Sequence, residues 1–136
     1  MQQGVELFRT TYNLPVSNTP RALTPEEAAL HIRLIRDEFE KELVPALESG
    51  DVVEIYDAVL DVNYFLLGLL SNAGMDAEPG FDAVQASNMS KLGEDGLPIY
   101  AVEGDDSGEP AGKVLKGPNY FKPDLATVLR AQGWNG

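Results

Sequence analysis

Two stretches with the apolar period of an α-helix, each roughly 20 residues long, meet at Ser49-Gly50-Asp51, and that junction constrains the fold more than anything else in the chain. The first stretch opens on Thr24-Pro25-Glu26-Glu27. There a threonine can cap, a proline occupies the first turn where no N–H is needed, and Glu27 completes a capping box. Apolar residues follow at Ala28, Leu30, Ile32, Leu34, Ile35, Phe39, Leu43 and Leu47, and Pro45 predicts a bend or loosening of the last turns. The second stretch runs from about Val52 to Ala73. Asp51 is placed to cap it, Gly74 to end it, and Ile55, Val59, Val62, Leu66, Leu69 and Leu70 form its expected core stripe. Helices this long, joined by so short a loop, pack antiparallel.

The flanks are simpler. Val5, Phe8 and Tyr12 predict a short helix over 4–12, Pro15 and Pro20 an extended connector over 13–23, and a third helix is expected from Phe81 to Leu92. From Gly93 the chain is rich in Gly, Pro and Asp, with periodicity returning only at Pro123–Ala131. The expectation is a single all-α domain, 1–136. Its four-helix-bundle-type core of antiparallel helices would occupy about 4–92, and an irregular C-terminal arm about 93–136.

Charge narrows the function. Ten Lys and Arg stand against 22 Asp and Glu in 136 residues, a net −12, which disfavours nucleic acid and anionic membranes as partners because both call for a basic face. No cysteine is present, so disulfides, a thiolate nucleophile and Cys-ligated metals are excluded. The longest apolar run, Tyr64–Leu70, is too short to span a bilayer, and the opening Met1-Gln-Gln-Gly lacks the features of a signal peptide. A soluble, cytoplasmic protein is expected.

The acid is concentrated. Residues 37–61 hold Asp37, Glu38, Glu40, Glu42, Glu48, Asp51, Glu54, Asp57 and Asp61 against Lys41 alone, which is −8 of the −12. Glu38 and Glu42 stack on one helix face, and so do Glu54, Asp57 and Asp61 on the next helix. A plain solvated acidic face is one reading. Against it, Asp57 and Asp61 are interleaved with Tyr56, Val59, Leu60 and Val62, Asp61 leads straight into an apolar run, and one lysine cannot neutralise nine acids. Divalent metal binding is the better reading, since hard cations prefer carboxylate oxygen and Mg²⁺ keeps waters for substrate phosphates. Other chemistry finds little support: His31 is the one histidine and reads as a packing or surface residue, and no phosphate-cradling glycine loop exists.

Two segments carry a resemblance. One is Arg33-Leu-Ile-Arg-Asp-Glu-Phe-Glu-Lys-Glu-Leu together with Gly50-Asp-Val-Val-Glu-Ile-Tyr-Asp-Ala-Val-Leu-Asp-Val-Asn-Tyr; the other is Asn88-Met-Ser-Lys-Leu with Gly112-Lys-Val-Leu-Lys-Gly-Pro-Asn-Tyr. Over roughly 24–125 the chain resembles the all-α nucleoside triphosphate pyrophosphohydrolases of the MazG-like group, in the branch of phosphoribosyl-ATP pyrophosphohydrolase. That family's pattern is two acidic motifs, about EExxE and ExxD, that hold Mg²⁺ or Mn²⁺. Here the first motif reads Asp37-Glu38-Phe39-Glu40-Lys41-Glu42, with its last Glu in register or one residue late, and Ala58 stands where the second often has Glu before Asp61.

The resemblance implies attack of a metal-activated water at the α–β linkage, giving a nucleoside monophosphate and pyrophosphate in nucleotide-pool control. It implies Glu38, Glu42, Asp57 and Asp61 as metal ligands, and Glu38 and Glu54 as catalytic carboxylates. Lys91, Lys113 and Lys116 would contact phosphates, with Asn88 and Tyr120 near the nucleotide and Asn63 and Tyr64 lining the base pocket. A purine deoxynucleotide such as dGTP is the expected substrate. The apolar excess at Tyr64–Leu70 points to a homodimer or homotetramer that completes the bundle. The rival reading is a non-catalytic acidic module that binds a basic protein partner.

Overall fold

A computed structural model describes all 136 residues, and their helices occupy Gln2–Thr11 (α1), Pro25–Glu38 (α2), Val44–Ser49 (α3), Val52–Ala73 (α4), Ala77–Met89 (α5) and Leu125–Ala131 (α6). No β-strand is formed, so the all-α expectation holds. The chain divides into two compact units, Met1–Ala77 with Leu129–Gly136, and Glu78–Val128.

The first unit is built around α2 and α4, and the local signals set their ends. The Thr24 side chain accepts from the Glu27 N–H at 3.2 Å, while the Glu27 carboxylate accepts from the Thr24 N–H at 2.8 Å. Asp51 Oδ1 accepts from Val53 N at 2.9 Å and Glu54 N at 3.2 Å, satisfying two of the donors that open α4. Gly74 closes α4 in the left-handed region at φ 72°, where a Cβ would lie 2.1 Å from the Thr19 carbonyl oxygen. The α2–α3 stretch is not one regular helix. Phe39–Leu43 forms a π turn in which the Val44 N–H reaches back to the Phe39 carbonyl. Pro45, just beyond, has no N–H and cannot continue an α ladder, which accounts for the expected loosening.

α2 and α4 run antiparallel, because His31 meets Asn72 near one end while Glu38 and Asp61 share a cavity further along. The buried positions of α4 are mostly small and serve two neighbours, Asn72 meeting His31 of α2 while Gly68 and Ser71 face α1. Ala58, Gly68, Ser71, Asn72 and Ala73 are the buried positions of α4. The expected stripe is corrected accordingly: Val59 and Leu66 are exposed, and Ile55, Val62, Leu69 and Leu70 are only half-buried. Two helices approach closely where side chains are small, so the large ones are displaced to the flanks. α1 packs on α4 at Gly68, where an added Cβ would sit 3.2 Å from Arg9 Nη1 and 3.8 Å from Val5 Cγ1.

The second unit contains α5, which starts at Ala77 rather than Phe81 and ends at Met89 rather than Leu92. Pro79 falls in its first turn, where a missing N–H costs nothing. The arm beyond it is irregular but well tied. Ser87 Oγ donates to the Phe121 carbonyl at 2.8 Å, and the Phe121 N–H donates to Ser90 Oγ at 3.1 Å. Tyr100 and Val114 form an isolated antiparallel bridge, with Ala101 N–H on the Lys113 carbonyl and Leu115 N–H on the Ile99 carbonyl, both at 2.8 Å.

Candidate active site

Five carboxylates line one cavity of about 220 Å³ on the first unit: Glu38, Glu42, Glu54, Asp57 and Asp61, with Ala58 between them. Each arrives by helical register. Glu38 ends α2, Glu42 follows in the π turn, and Glu54, Asp57 and Asp61 occupy one face of α4. Ala58, 5 % exposed, supplies floor without filling the space. No lysine, arginine or histidine lines the cavity. The cations closest in sequence are turned elsewhere: Lys41 Nζ pairs with Asp37 Oδ1 at 2.8 Å, and Arg36 Nε stands 4.0 Å from Glu40 Oε1.

Charge crowding shows on Glu38. Burial raises its carboxyl pKa, and the nearby acids Asp61, Glu42 and Asp37 raise it further, because each disfavours a second negative charge. The side chains share a cavity but stand apart within it, and no three of them are gathered into a ready-made metal cluster. Mutual repulsion favours rotamers that spread like charges. The donor set still fits a hard divalent cation: all oxygen, all anionic, several on facing helices, with room left for water.

The other sequence-derived candidates lie elsewhere. Asn63, two residues past Asp61, directs Nδ2 towards Met1 Sδ at 3.9 Å, and Tyr64 packs edge-on against Phe8 with ring centroids 5.7 Å apart. Neither lines the acidic cavity. In the second unit, Lys113 Nζ is paired with Glu109 Oε2 at 2.5 Å, and Lys116 Nζ sits 4.7 Å from the Tyr120 ring centroid. The Lys91 backbone binds Asn88 and Gly117, its N–H on the Asn88 carbonyl at 3.2 Å and its carbonyl accepting from Gly117 N–H at 2.8 Å.

Sequence reasoning missed a polar network in the first unit. Arg21 forks onto Glu27, Nη1 to Oε2 at 2.8 Å and Nη2 to Oε1 at 2.7 Å. Its Nη2 also reaches Asn72 Oδ1 at 3.1 Å, and its Nε reaches Ser17 Oγ at 2.8 Å. Asn72 Nδ2 lies 3.1 Å from His31 Nε2. With Asn72 Oδ1 taken by Arg21, its Nδ2 donates, so His31 accepts at Nε2 and keeps its proton on Nδ1, which is buried without a partner. The Glu27 capping box was legible as a helix start, but nothing local marks it as the partner of Arg21.

Comparison with known proteins agrees with the acidic helices. The family model described as "Phosphoribosyl-ATP pyrophosphohydrolase" matches residues 5–88, more than half of the chain and all five cavity carboxylates. No curated protein matches the chain.

Proposed function

Since the chain belongs to the phosphoribosyl-ATP pyrophosphohydrolase family and is thereby a hydrolase of phosphoanhydride bonds, we propose that it cleaves the α–β linkage of a nucleoside triphosphate. The products are the nucleoside monophosphate and pyrophosphate, the substrate a purine deoxynucleotide such as dGTP, and the role control of the nucleotide pool. The observation that carries this is the cavity of five carboxylates with no basic side chain on its wall. A triphosphate is itself anionic, so such a wall suits it only with divalent cations between protein and phosphate.

Glu38, Glu42, Asp57 and Asp61 are the proposed ligands of Mg²⁺ or Mn²⁺. Such a cation polarises phosphoryl oxygens and acidifies its bound water. Glu54 and Glu38 stand on the same wall as carboxylates able to accept the proton of an attacking water, Glu54 from the first turn of α4 and Glu38 from the end of α2. Ala58 leaves the floor open where a larger side chain would fill it, so that water and phosphate can enter between the two helices. In the second unit Lys91, Lys113 and Lys116 have the chemistry of phosphate contacts, and Asn88 and Tyr120 that of a nucleoside contact. Asn63 and Tyr64 are the corresponding residues of the first unit.

A homodimer or homotetramer is proposed on the same footing. Tyr56, Val59, Leu60 and Leu66 leave one helix with apolar side chains in solvent, and a second copy would cover them.

The test is a panel of (d)NTPs and phosphoribosyl-ATP, incubated with Mn²⁺ or Mg²⁺ and resolved by ion exchange. Release of monophosphate and pyrophosphate from a deoxynucleotide is the expected result, reduced about 100-fold or more by Asp61→Ala. Turnover of phosphoribosyl-ATP alone would overturn the deoxynucleotide substrate, and no turnover of any nucleotide would overturn the proposal.

A further inference from the structure

The π turn at Phe39–Leu43 breaks the helix beside the proposed metal site, and it changes which side chain faces the cavity. Along an uninterrupted α-helix, the positions sharing the face of Glu38 are three, four and seven residues on: Lys41, Glu42 and Pro45. Lys41 would then present an ammonium to the carboxylates. The structure has a different arrangement. A π turn holds one residue more than an α turn, so the face beyond it is shifted by one, to Glu42, Leu43 and Ala46.

Burial follows the shifted register. Glu42 lines the cavity, Leu43 is half-buried and Ala46 is buried, while Lys41 and Pro45 are exposed. Lys41 is turned back onto Asp37, at 2.8 Å. Pro45 works against the unshifted alternative, since in an α turn its ring would press on the Lys41 carbonyl and its absent N–H would leave that carbonyl unbonded. The bond that replaces the ladder is the Val44 N–H to the Phe39 carbonyl, five residues back.

We propose that the π turn, held by Pro45, is a positioning device that keeps the Lys41 ammonium out of the acidic cavity, while Glu42, which shares the face of Glu38 in either register, stays on its wall. Pro45 is a positioning residue, acting through the backbone on Lys41. The functional consequence rests on reading the cavity as a metal site; the register itself does not.

Two readouts separate those parts. The chain has no cysteine, so single cysteines report cleanly. In Lys41→Cys and Glu42→Cys chains, mixed-disulfide formation with cationic and anionic methanethiosulfonates, which releases methanesulfinate, is compared without metal. The cysteine at 42 should favour the cationic reagent by about tenfold or more, and the cysteine at 41 should show little preference. Adding Pro45→Ala should give the cysteine at 41 the cationic preference. An unchanged cysteine at 41, in a chain whose circular dichroism is native, would overturn the proposal.

Mn²⁺ titration by calorimetry then reads the consequence. Pro45→Ala should weaken binding about tenfold. Either Lys41→Ala, which removes the intruding charge, or excision of Glu40, which removes the surplus residue, should restore it in the Pro45→Ala chain. Failure of both rescues would overturn the positioning role. A wild-type chain that bound no Mn²⁺ would overturn the metal reading, with the thiosulfonate ratios still deciding the register.

Discussion

Glu27 shows how much one side chain can do at the residue scale. Its carboxyl is held at about 2, below the ordinary 4.5, chiefly by the Arg21 hydrogen bonds and then by the Thr24 N–H. A carboxyl acidified by folding stabilises the fold above its unfolded pKa, and that contribution is lost as pH falls through the folded value. Urea unfolding from pH 6 to pH 2 should therefore show stability declining below about 4.5, and Glu27→Gln should flatten that limb while lowering stability at neutral pH. Glu38 has the opposite sign. Its pKa is raised by burial and by Asp61, Glu42 and Asp37, so its contribution favours folding at low pH and fades as pH rises through the raised value. Glu38→Gln should raise the Tm of the metal-free chain at pH 7 and abolish stabilisation by Mn²⁺, both measurable by calorimetry. His31 is shifted towards its neutral form, since burial and then the Arg9 charge lower its pKa.

At the scale of the element, ends were more legible than faces. The caps of α2 and α4 and the glycine stop at 74 depend on residues within a few positions of each other, and each formed as the sequence predicts. Asp51→Ala removes an acceptor shared by two backbone N–H groups and should cost about 1 kcal/mol of stability. Gly74→Ala should cost more than about 1 kcal/mol, because φ is 72° and the new Cβ would meet Thr19 backbone. Urea denaturation compares the two variants directly. α5 starts four residues before the expected Phe81, at Ala77, with Pro79 accommodated in its first turn where no N–H is required. The π turn was visible only as an expected disturbance near Pro45. Pro45 marks where the α ladder must fail, and the burial of Ala46 and half-burial of Leu43 on the shifted face became visible only in the packed structure.

For the whole molecule, the question is what covers the large apolar side chains that α4 leaves in solvent. Tyr56 is 69 % exposed and Leu60 42 %, on the helix that carries three of the cavity carboxylates. If a second copy buries them, light scattering after size exclusion should give at least a dimer, and Tyr56→Glu with Leu60→Glu should give a monomer. Metal should act at the same scale. Mn²⁺ at about 100 times its Kd should add about 2.7 kcal/mol of stability by mass action, and a scan with and without Mn²⁺ reads this as a rise in Tm. No helix is long and apolar enough to cross a membrane.

The sequence by itself determined the helices, their caps, and the acids that share a face, because hydrogen-bonding ends and helical period act over a few residues. It carried enough of the acidic pattern to place the chain in its family. Tertiary structure alone decided which face of α4 is buried, since close approach selects Ala58, Gly68 and Ser71 over the larger residues beside them. It also decided that Arg21, Glu27, Asn72 and His31 meet, 51 residues separating Arg21 from Asn72. The single lysine beside the acids is the sharpest case. Counting along a regular helix puts Lys41 beside Glu42 among the carboxylates, and only the π turn, one residue wider, takes Lys41 off that face and leaves Glu42 on it.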